Sequence, residues 1–300
     1  MSMPSEAIGR IQWGPLTFGP GSPYGVEACL GLDDLPDVRG DDTNRPNQHG
    51  EYSGADYTTA RTIQIGLAIR ADSPDQLREL KLALRAATQP GRAPAPLQFL
   101  DWDCVAYGKV RRRNIPYDAH FLWRTGEAAI EFYCPNPRLY SVAERTASTT
   151  AYSPSAGRTY NLVPPRAYGA SGASGRLTIT NAGDSEAYPV LRIDGPVAQP
   201  VIEATAPNTG GDEDDGEAAA TTTTLSISGT LQTGEYLLID TRTRAVLLMG
   251  SAPRRDWVRA GSQWPVLSPG PNEIAYRGAA LPGAPGQTSL LTVTWRDTSL

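Results

Sequence analysis

Aliphatic side chains alternate with polar ones in several short segments of the first half of the chain. In TIQIGLAIR, residues 62–70, every second side chain is aliphatic, which predicts a strand with one buried face. That face consists of Ile63, Ile65, Leu67 and Ile69, and the opposite face includes Thr62, Gln64 and Arg70. AAIEFYC predicts a second strand whose buried face consists of Ala128, Ile130, Phe132 and Cys134. PLQFLDW and CVAYGKVRRRNIPY predict two more strands of the same sheet.

The segment SPDQLRELKLALRAATQPG, residues 73–91, has the period of a helix instead. Ser73 suits the N-cap, Pro74 the first helical position, and Gln76 the reciprocal position of a capping box. Its apolar stripe consists of Leu77, Leu80, Ala83, Leu84 and Ala87, and Pro90-Gly91 ends the helix.

These elements predict an α+β first domain over residues 1–140, a β-sheet with one helix packed on it. Residues 11–26 alternate apolar and turn residues, which is typical of a hairpin or an extended arm. The polar, acidic residues 32–56 predict a long loop of the kind that is often functional or ordered by a partner.

The second half of the chain predicts an all-β domain. Residues 141–176, rich in Ser, Thr, Ala, Gly and Pro, are interpreted as a linker that leads into it. Residues 177–300 then contain closely spaced strand candidates, which favour a β-sandwich with an acidic surface insert at 207–220. The strand candidates are RLTITN, YPVLRIDG, TLSISGTL, EYLLIDT, AVLLMG, NEIAYRG and LLTVTW, and residues 181–202 contribute a further strand around QPVI.

Charge and composition exclude several classes of function. The net charge of −5 argues against a protein that wraps nucleic acid, which needs a basic face. The segment MSMPSEAIGR lacks an apolar run, so we expect no secretory signal. The sequence also has no stretch of about eighteen consecutive apolar residues, so we expect no membrane anchor. The three separated cysteines predict reduced, buried thiols and folding in a cytoplasm. They are Cys29, Cys104 and Cys134.

Catalytic and metal signatures are missing from the sequence, so we expect neither an enzyme nor a cofactor. His49 and His120 are the two histidines, and no serine has the surroundings of a hydrolase nucleophile. GDEDDGE, residues 211–217, fails as a calcium loop because glycine is fifth and Thr223 is twelfth. We interpret it as a solvated loop. The acidic pairs Asp33/Asp34 and Asp101/Asp103 are interpreted as loop charges rather than as a glycosidase pair.

The basic cluster RRRNIPYD, residues 111–118, remains to be assigned. Strict alternation along a strand predicts that Arg111 and Arg113 point away from Arg112. The cluster therefore favours a polar strand end or a subunit contact over a nucleic-acid site.

An ordered set of segments resembles the distal tail proteins of long, non-contractile-tailed phages, the siphovirus tail component family. The segments cover most of the chain, and none is a catalytic signature. They are PYGVEACLGLDDLPDVRGDD, HGEYSGAD, the strand and capped helix at 62–88, EFYCPNPRLYS, NAGDSEAYPVLRIDGP, GEYLLIDTRTRAVLL and WPVLSPGPNEIAYRG.

The resemblance implies a belt domain that closes into a hexameric ring at the tail tip of the virion. It also implies a galectin-like β-sandwich on the outside of that ring. The expected partners are further copies of the chain, the tail tube protein, the tail-tip hub protein and fibre or receptor-binding proteins, with DNA passing through the ring without specific binding.

A ring needs interface residues, and an arm-like hairpin is a candidate source of them. Trp13, Leu16 and Phe18 have no obvious partners in so short a hairpin, so we expect them at the subunit interface together with Arg111, Arg112 and Arg113. The alternative function is a carbohydrate-binding module or receptor-binding tail protein for host recognition. Asn136-Pro137-Arg138 matches three letters of a galectin sugar site, but it lacks the preceding histidine and falls in the first domain.

Overall fold

The computed structural model describes residues 9–117, 124–153, 173–206, 221–281 and 288–300. The chain divides into two compact units, Met1–Val142 together with Leu300, and Ala143–Ser299. Among the described residues, no helix is long and apolar enough to cross a membrane.

The first unit is built on an antiparallel sheet. Its strands are β1 (Ile11–Trp13), β2 (Leu16–Phe18), β3 (Tyr24–Leu30), β4 (Val38–Arg39), β5 (Thr43–Asn44), β6 (Glu51–Tyr52), β7 (Tyr57–Thr58), β8 (Arg61–Arg70), β9 (Ala95–Phe99), β10 (Cys104–Asn114), β11 (Thr125–Cys134) and β12 (Leu139–Ser141), and its helix is α1 (Pro74–Ala87). Seven strands lie in the order β2-β1-β9-β10-β11-β8-β3, and β12 pairs with the start of β10.

The two ends of this sheet meet at the connection between β2 and β3. The Gly19 amide donates to the Tyr24 carbonyl at 2.7 Å, and the rings of Phe18 and Tyr24 contact each other edge to face. The sheet therefore curls back toward itself around one apolar core.

Burial confirms the faces predicted for β8 and β11. The four aliphatic side chains of β8 are at most 1% exposed, and Ala128, Ile130, Phe132 and Cys134 of β11 are at most 5% exposed. Successive side chains of a strand point to opposite faces, so one face of each strand lies on the core and the other faces outward.

The predicted helix is confirmed as α1, with Ser73 as its N-cap. The Ser73 hydroxyl accepts a hydrogen bond from the Gln76 amide at 3.2 Å. The Gln76 side chain reaches back one residue further than a capping box requires, to the Asp72 amide. Ala83 is exposed, and Lys81 is buried instead, because its ammonium group donates to the Pro116 carbonyl at 2.8 Å.

Residues 33–58, which we call the arm, form one long hairpin rather than the predicted loop. Strands β4 and β7 pair near its base, and β5 and β6 pair toward its tip. The Gly54 amide donates to the Asp42 carboxylate at 2.9 Å between the two ladders.

The second unit is a β-sandwich. Its strands are β13 (Arg145–Thr150), β14 (Arg176–Asn181), β15 (Val190–Asp194), β16 (Val197–Ala206), β17 (Thr221–Ser226), β18 (Thr230–Leu231), β19 (Tyr236–Asp240), β20 (Ala245–Leu248), β21 (Ala252–Pro253), β22 (Gly270–Ala279), β23 (Leu290–Trp295) and β24 (Thr298–Ser299). One sheet has the order β13-β23-β15-β19-β20-β21, and the other has the order β14-β22-β16-β17 with β18 beside β16. Side chains from both sheets share one apolar core.

The strand candidates of the second half are confirmed as β14, β15, β17 with β18, β19, β20, β22 and β23, and QPVI lies in β16. Leu291, Val293 and Trp295 point inward as expected. The supposed linker contains one unforeseen strand, because β13 pairs with β23 along its whole length. The acidic insert at 207–220 and His120 lie outside the described residues.

Candidate assembly surface

A β-bulge in β10 determines where the three consecutive arginines point. Val110 lies opposite Phe132 of β11, whereas Arg112 lies opposite Glu131, so the register shifts between Val110 and Arg112. Arg111 is the extra residue of the bulge. A bulge redirects side chains that strict alternation would place on the other face.

The bulge brings Arg111 to the outer face of the sheet, beside Arg112. Its guanidinium lies 3.9 Å from the ring centroid of Tyr133, an outward-facing residue that pairs with Lys109. The prediction that Arg111 points away from Arg112 is therefore wrong. Lys109, Arg111 and Arg112 form a continuous set of outward cations, which we call the basic strip.

Arg113 has a different role, at the C-terminal end of α1. Its guanidinium donates to the carbonyls of Arg85 and Thr88, at 2.7 and 3.1 Å, and to the Thr88 hydroxyl at 2.9 Å. A cation at this position satisfies the last carbonyls of the helix and complements its dipole. Arg113 thus joins β10 to α1 rather than contributing to the basic strip.

A shallow groove lies beside the basic strip on the outer face. Its volume is about 210 Å³, and it is lined by Gln64, Arg112, Asn114, Ala129, Ile130 and Glu131. Small residues lie across the neighbouring strands, where Gly66 of β8 is paired with Ala129 of β11 on one side and Ala28 of β3 on the other. A sheet face with side chains this short leaves room for another polypeptide to approach closely.

The base of the arm is held by Arg61, whose side chain is buried. Its guanidinium donates to four backbone carbonyls. They belong to Gly31 (3.0 Å), Leu32 (2.5 Å), Asp34 (2.8 Å) and Pro137 (2.8 Å). Burial lowers the pKa of Arg61, while the nearby carboxylates of Asp33 and Asp34 act in the opposite direction. The arm therefore leaves the sheet in a direction fixed by one side chain.

Gly31 is required at the same turn. Its φ is +85°, and a Cβ at this position would lie 2.0 Å from the Thr62 carbonyl oxygen. A larger residue would displace the turn from β8, because L-residues rarely adopt this conformation and the neighbouring atom belongs to the backbone.

The arm exposes large apolar side chains. Leu35 is 69% exposed, Tyr57 60% and Tyr52 58%, and Leu30 at its base is 60% exposed. Single exposed apolar residues are ordinary, but several on one projecting element are typical of an interaction site.

The three residues of the first hairpin that were predicted at the subunit interface lie in or against the core of the first unit. Trp13 and Phe18 are at most 7% exposed, and Leu16 packs against the same core. Trp13 contacts Phe132 with ring centroids 4.8 Å apart. The premise that Trp13 and Phe18 lack partners within the chain is therefore wrong. The interface itself stays a prediction, and its structural support has moved to Arg111 and Arg112.

The three cysteines are free thiols, with Cys134 buried and Cys29 and Cys104 partly buried. Burial raises the pKa of Cys29 and Cys134 to about 11 and that of Cys104 to about 12, and Asp33 adds to the effect at Cys29 and Cys104. These pKa values favour the protonated thiol.

Iodoacetamide at pH 8 is expected to alkylate the three thiols of the folded protein at least about a hundredfold more slowly than after unfolding in urea. The thiolate is the reacting species, and a pKa two units higher reduces its population by that factor at any pH well below it. Mass spectrometry of quenched samples measures the rate. Alkylation of any cysteine in the folded protein at the rate of a free peptide thiol would contradict the burial described above.

Among the residues that the structure describes, the remaining candidates of the sequence analysis form no catalytic constellation. His49 lies exposed in the arm, and Asp101 is paired with Arg10 at 3.0 Å, which lowers the pKa of that carboxyl. Within the ranges that the structure describes, no group of three or more His, Cys, Asp and Glu side chains has the arrangement of a metal site.

The residues relevant to sugar binding are covered or distant. Trp257 and Trp264 of the second unit pack against its core, and Arg254 and Arg255 lie over their rings at 5.7 and 5.5 Å. Asn136 follows β11 in the first unit and donates to the Tyr140 hydroxyl at 2.6 Å.

Comparison with known proteins finds a family whose C-terminal domain is similar to the sandwich. Residues 196–297 match the siphovirus-type tail component, C-terminal domain. The matched range lies entirely within the second unit. This match confirms the resemblance seen in the sequence, and it supports a structural role in a bacteriophage tail.

The fold of the whole chain is similar to that of a known tail protein. The crystal structure of the Dit protein of phage SPP1, described as a paradigm of the hub adsorption apparatus in phages that infect Gram-positive bacteria, matches with a TM-score of 0.61. The two chains are 14% identical, and the match covers 92% of this chain and 94% of the other.

Two chains of the phage P2 baseplate in its activated conformation also match. The structure with calcium gives a TM-score of 0.48 at 11% identity, and the one with strontium gives 0.47 at 10% identity. Each match covers 95% of this chain and 96% of the other. No curated protein matches the chain.

Proposed function

We propose that this chain is a distal tail protein whose first unit closes into a hexameric ring at the tail tip of the virion. The ring joins the tail tube to the tail-tip hub, and the sandwich, a galectin-like module, serves as a docking platform for fibre or receptor-binding proteins. The family match of the sandwich supports a tail role, and the likeness to SPP1 Dit supports the fold.

The observation that carries the ring is the presence of two different uncovered surfaces on the first unit. A closed ring requires every subunit to present two distinct surfaces that complement each other. The arm exposes apolar side chains, and the outer sheet face exposes the basic strip and the groove. One surface projects and the other is shallow, as a head-to-tail contact requires.

The charge of the chain suits the proposed passage of DNA. A net charge of −5 repels phosphates, so a channel built from such chains lets DNA slide without binding it. Cations that lined the channel would attract the phosphates, so we expect the outward cations of the basic strip to lie between subunits.

Native mass spectrometry of the full chain is expected to show an assembly of six 32.1-kDa subunits. We expect a fragment of residues 1–142 to form rings at high concentration, because both surfaces belong to the first unit. We expect a fragment of residues 143–299 to remain monomeric. A monomeric first fragment beside an oligomeric second fragment would place the assembly surface in the wrong unit and overturn the proposal.

A further inference from the structure

Some carboxylates of the arm have no partner among the described residues. The arm contains seven acidic and two basic side chains, counted from the sequence. Asp34 and Asp42 accept hydrogen bonds from the backbone of the arm and its base, the Gly31 and Gly54 amides. Asp41 and Glu51 are exposed, and their carboxylates form no hydrogen bond or ion pair with any residue that the structure describes. The arm is therefore an acidic element with exposed apolar side chains.

The cations of the basic strip likewise form no ion pair within the described ranges. Arg111 stacks on Tyr133 but meets no carboxylate, and Lys109 and Arg112 form no ion pair within the described ranges. Glu131 lies opposite Arg112 on the neighbouring strand without forming an ion pair with it. The strip thus retains positive charge next to the groove.

The acidic, projecting arm complements the basic strip and its shallow groove in charge and in shape. Within one copy of the chain, however, the two surfaces do not contact each other. Both the arm and Arg111 and Arg112 remain exposed in the folded chain. Each leg of the arm has about thirteen residues, which span up to about 40 Å when extended. That length is enough to cross the face of a neighbouring subunit.

We propose that the arm of one copy docks on the basic strip and groove of the adjacent copy. This inference rests on the proposed ring and names the contact that closes it. The carboxylates around Asp41 and Glu51 pair with Arg111 and Arg112, and the arm's exposed tyrosines pack over the short side chains beside the groove. Complementary charges of this kind set the register and the choice of partner more than the total affinity.

Charge reversal in full-length chains tests this docking. The arm variant carries Asp41→Lys with Glu51→Lys, and the strip variant carries Arg111→Glu with Arg112→Glu. We expect each variant alone to lose the ring mass seen for the unchanged protein, because like charges then face each other. An equimolar mixture is expected to regain a ring in which the two variants alternate, since every arm then meets a strip of opposite charge.

A matched control carries the same charge change elsewhere. Arg78→Glu with Arg92→Glu alters two exposed arginines outside both surfaces and is expected to keep the ring. Circular dichroism of each variant verifies that the fold is retained.

The other outcomes separate this inference from the ring itself. If the unchanged chain forms rings and both variants also form them, the docking is refuted and the ring stands. If a chain with all four changes forms rings while the mixture of variants does not, the arm docks on its own copy, which also overturns the inference. If the unchanged chain forms no ring, the proposed function fails first.

Discussion

Replacing Arg61 with methionine is expected to lower the free energy of unfolding of the first unit by about 3–5 kcal/mol. Methionine keeps an apolar stem of similar length but leaves four buried or partly buried carbonyls without their donor. Each unsatisfied buried polar group costs about 1–3 kcal/mol. The desolvation of the guanidinium, which is only 2% exposed, offsets part of that loss. Urea denaturation followed by circular dichroism measures the change.

Two further variants test whether the loss of stability comes from the hydrogen bonds of Arg61. Arg61→Lys keeps the charge but is expected to recover less than half of the loss, because one ammonium group cannot replace a fork that donates on two sides. Arg39→Met, on the exposed part of the arm, is expected to change stability by less than about 0.5 kcal/mol. Equal stability of the Arg61→Met variant and the unchanged protein would mean that the arm is not anchored by this side chain.

The same substitution connects stability with assembly. Arg61 ties the turn at Gly31 to the segment at Pro137, so its loss frees the arm from the sheet before it affects the core. We therefore expect the ring to be lost at protein concentrations at which the first unit is still folded.

Elements whose side chains follow one period could be predicted from the sequence. Strands β8 and β11 alternate without interruption, and α1 has an N-cap serine and a proline at its start. In each case the local pattern agrees with the burial that the fold imposes, so local reasoning was sufficient.

The features that make up the assembly surface depend on contacts between distant residues. The bulge at Arg111 becomes visible only when β10 is aligned with β11, so alternation assigned the wrong face to this arginine. Strand β13 consists mostly of Thr, Ser and Ala and is stabilised by pairing with β23, about 145 residues away in the sequence. Its composition is like that of a linker, and the strand forms because its partner strand stabilises it.

The first hairpin was misjudged for the same reason. Trp13 is followed by a turn, and its directly opposed neighbour within the hairpin is Leu16. Its partner ring belongs to Phe132, and its indole nitrogen donates to the Ala87 carbonyl at 3.0 Å, at the end of α1. No short-range pattern reports contacts that join three separate elements.

Replacing Trp13 with alanine is expected to lower the free energy of unfolding of the first unit by about 3–5 kcal/mol. The indole is 7% exposed, so its removal leaves a cavity between β1, β11 and α1 and costs both the transfer energy and the lost packing. The edge-to-face contact with Phe132 and the hydrogen bond to α1 disappear as well. Urea denaturation of the folded monomer measures this loss.

Trp13→Phe separates a core role from an interface role. Phenylalanine retains an aromatic contact with Phe132 but loses the hydrogen bond and part of the buried ring volume, so the expected cost falls to about 1–2 kcal/mol. Because Trp13 faces the core, the Phe variant is expected to form the same assembly as the unchanged protein, as judged by light scattering at 20–25 °C. Full stability combined with loss of assembly would return Trp13 to the subunit interface and contradict its place in the core.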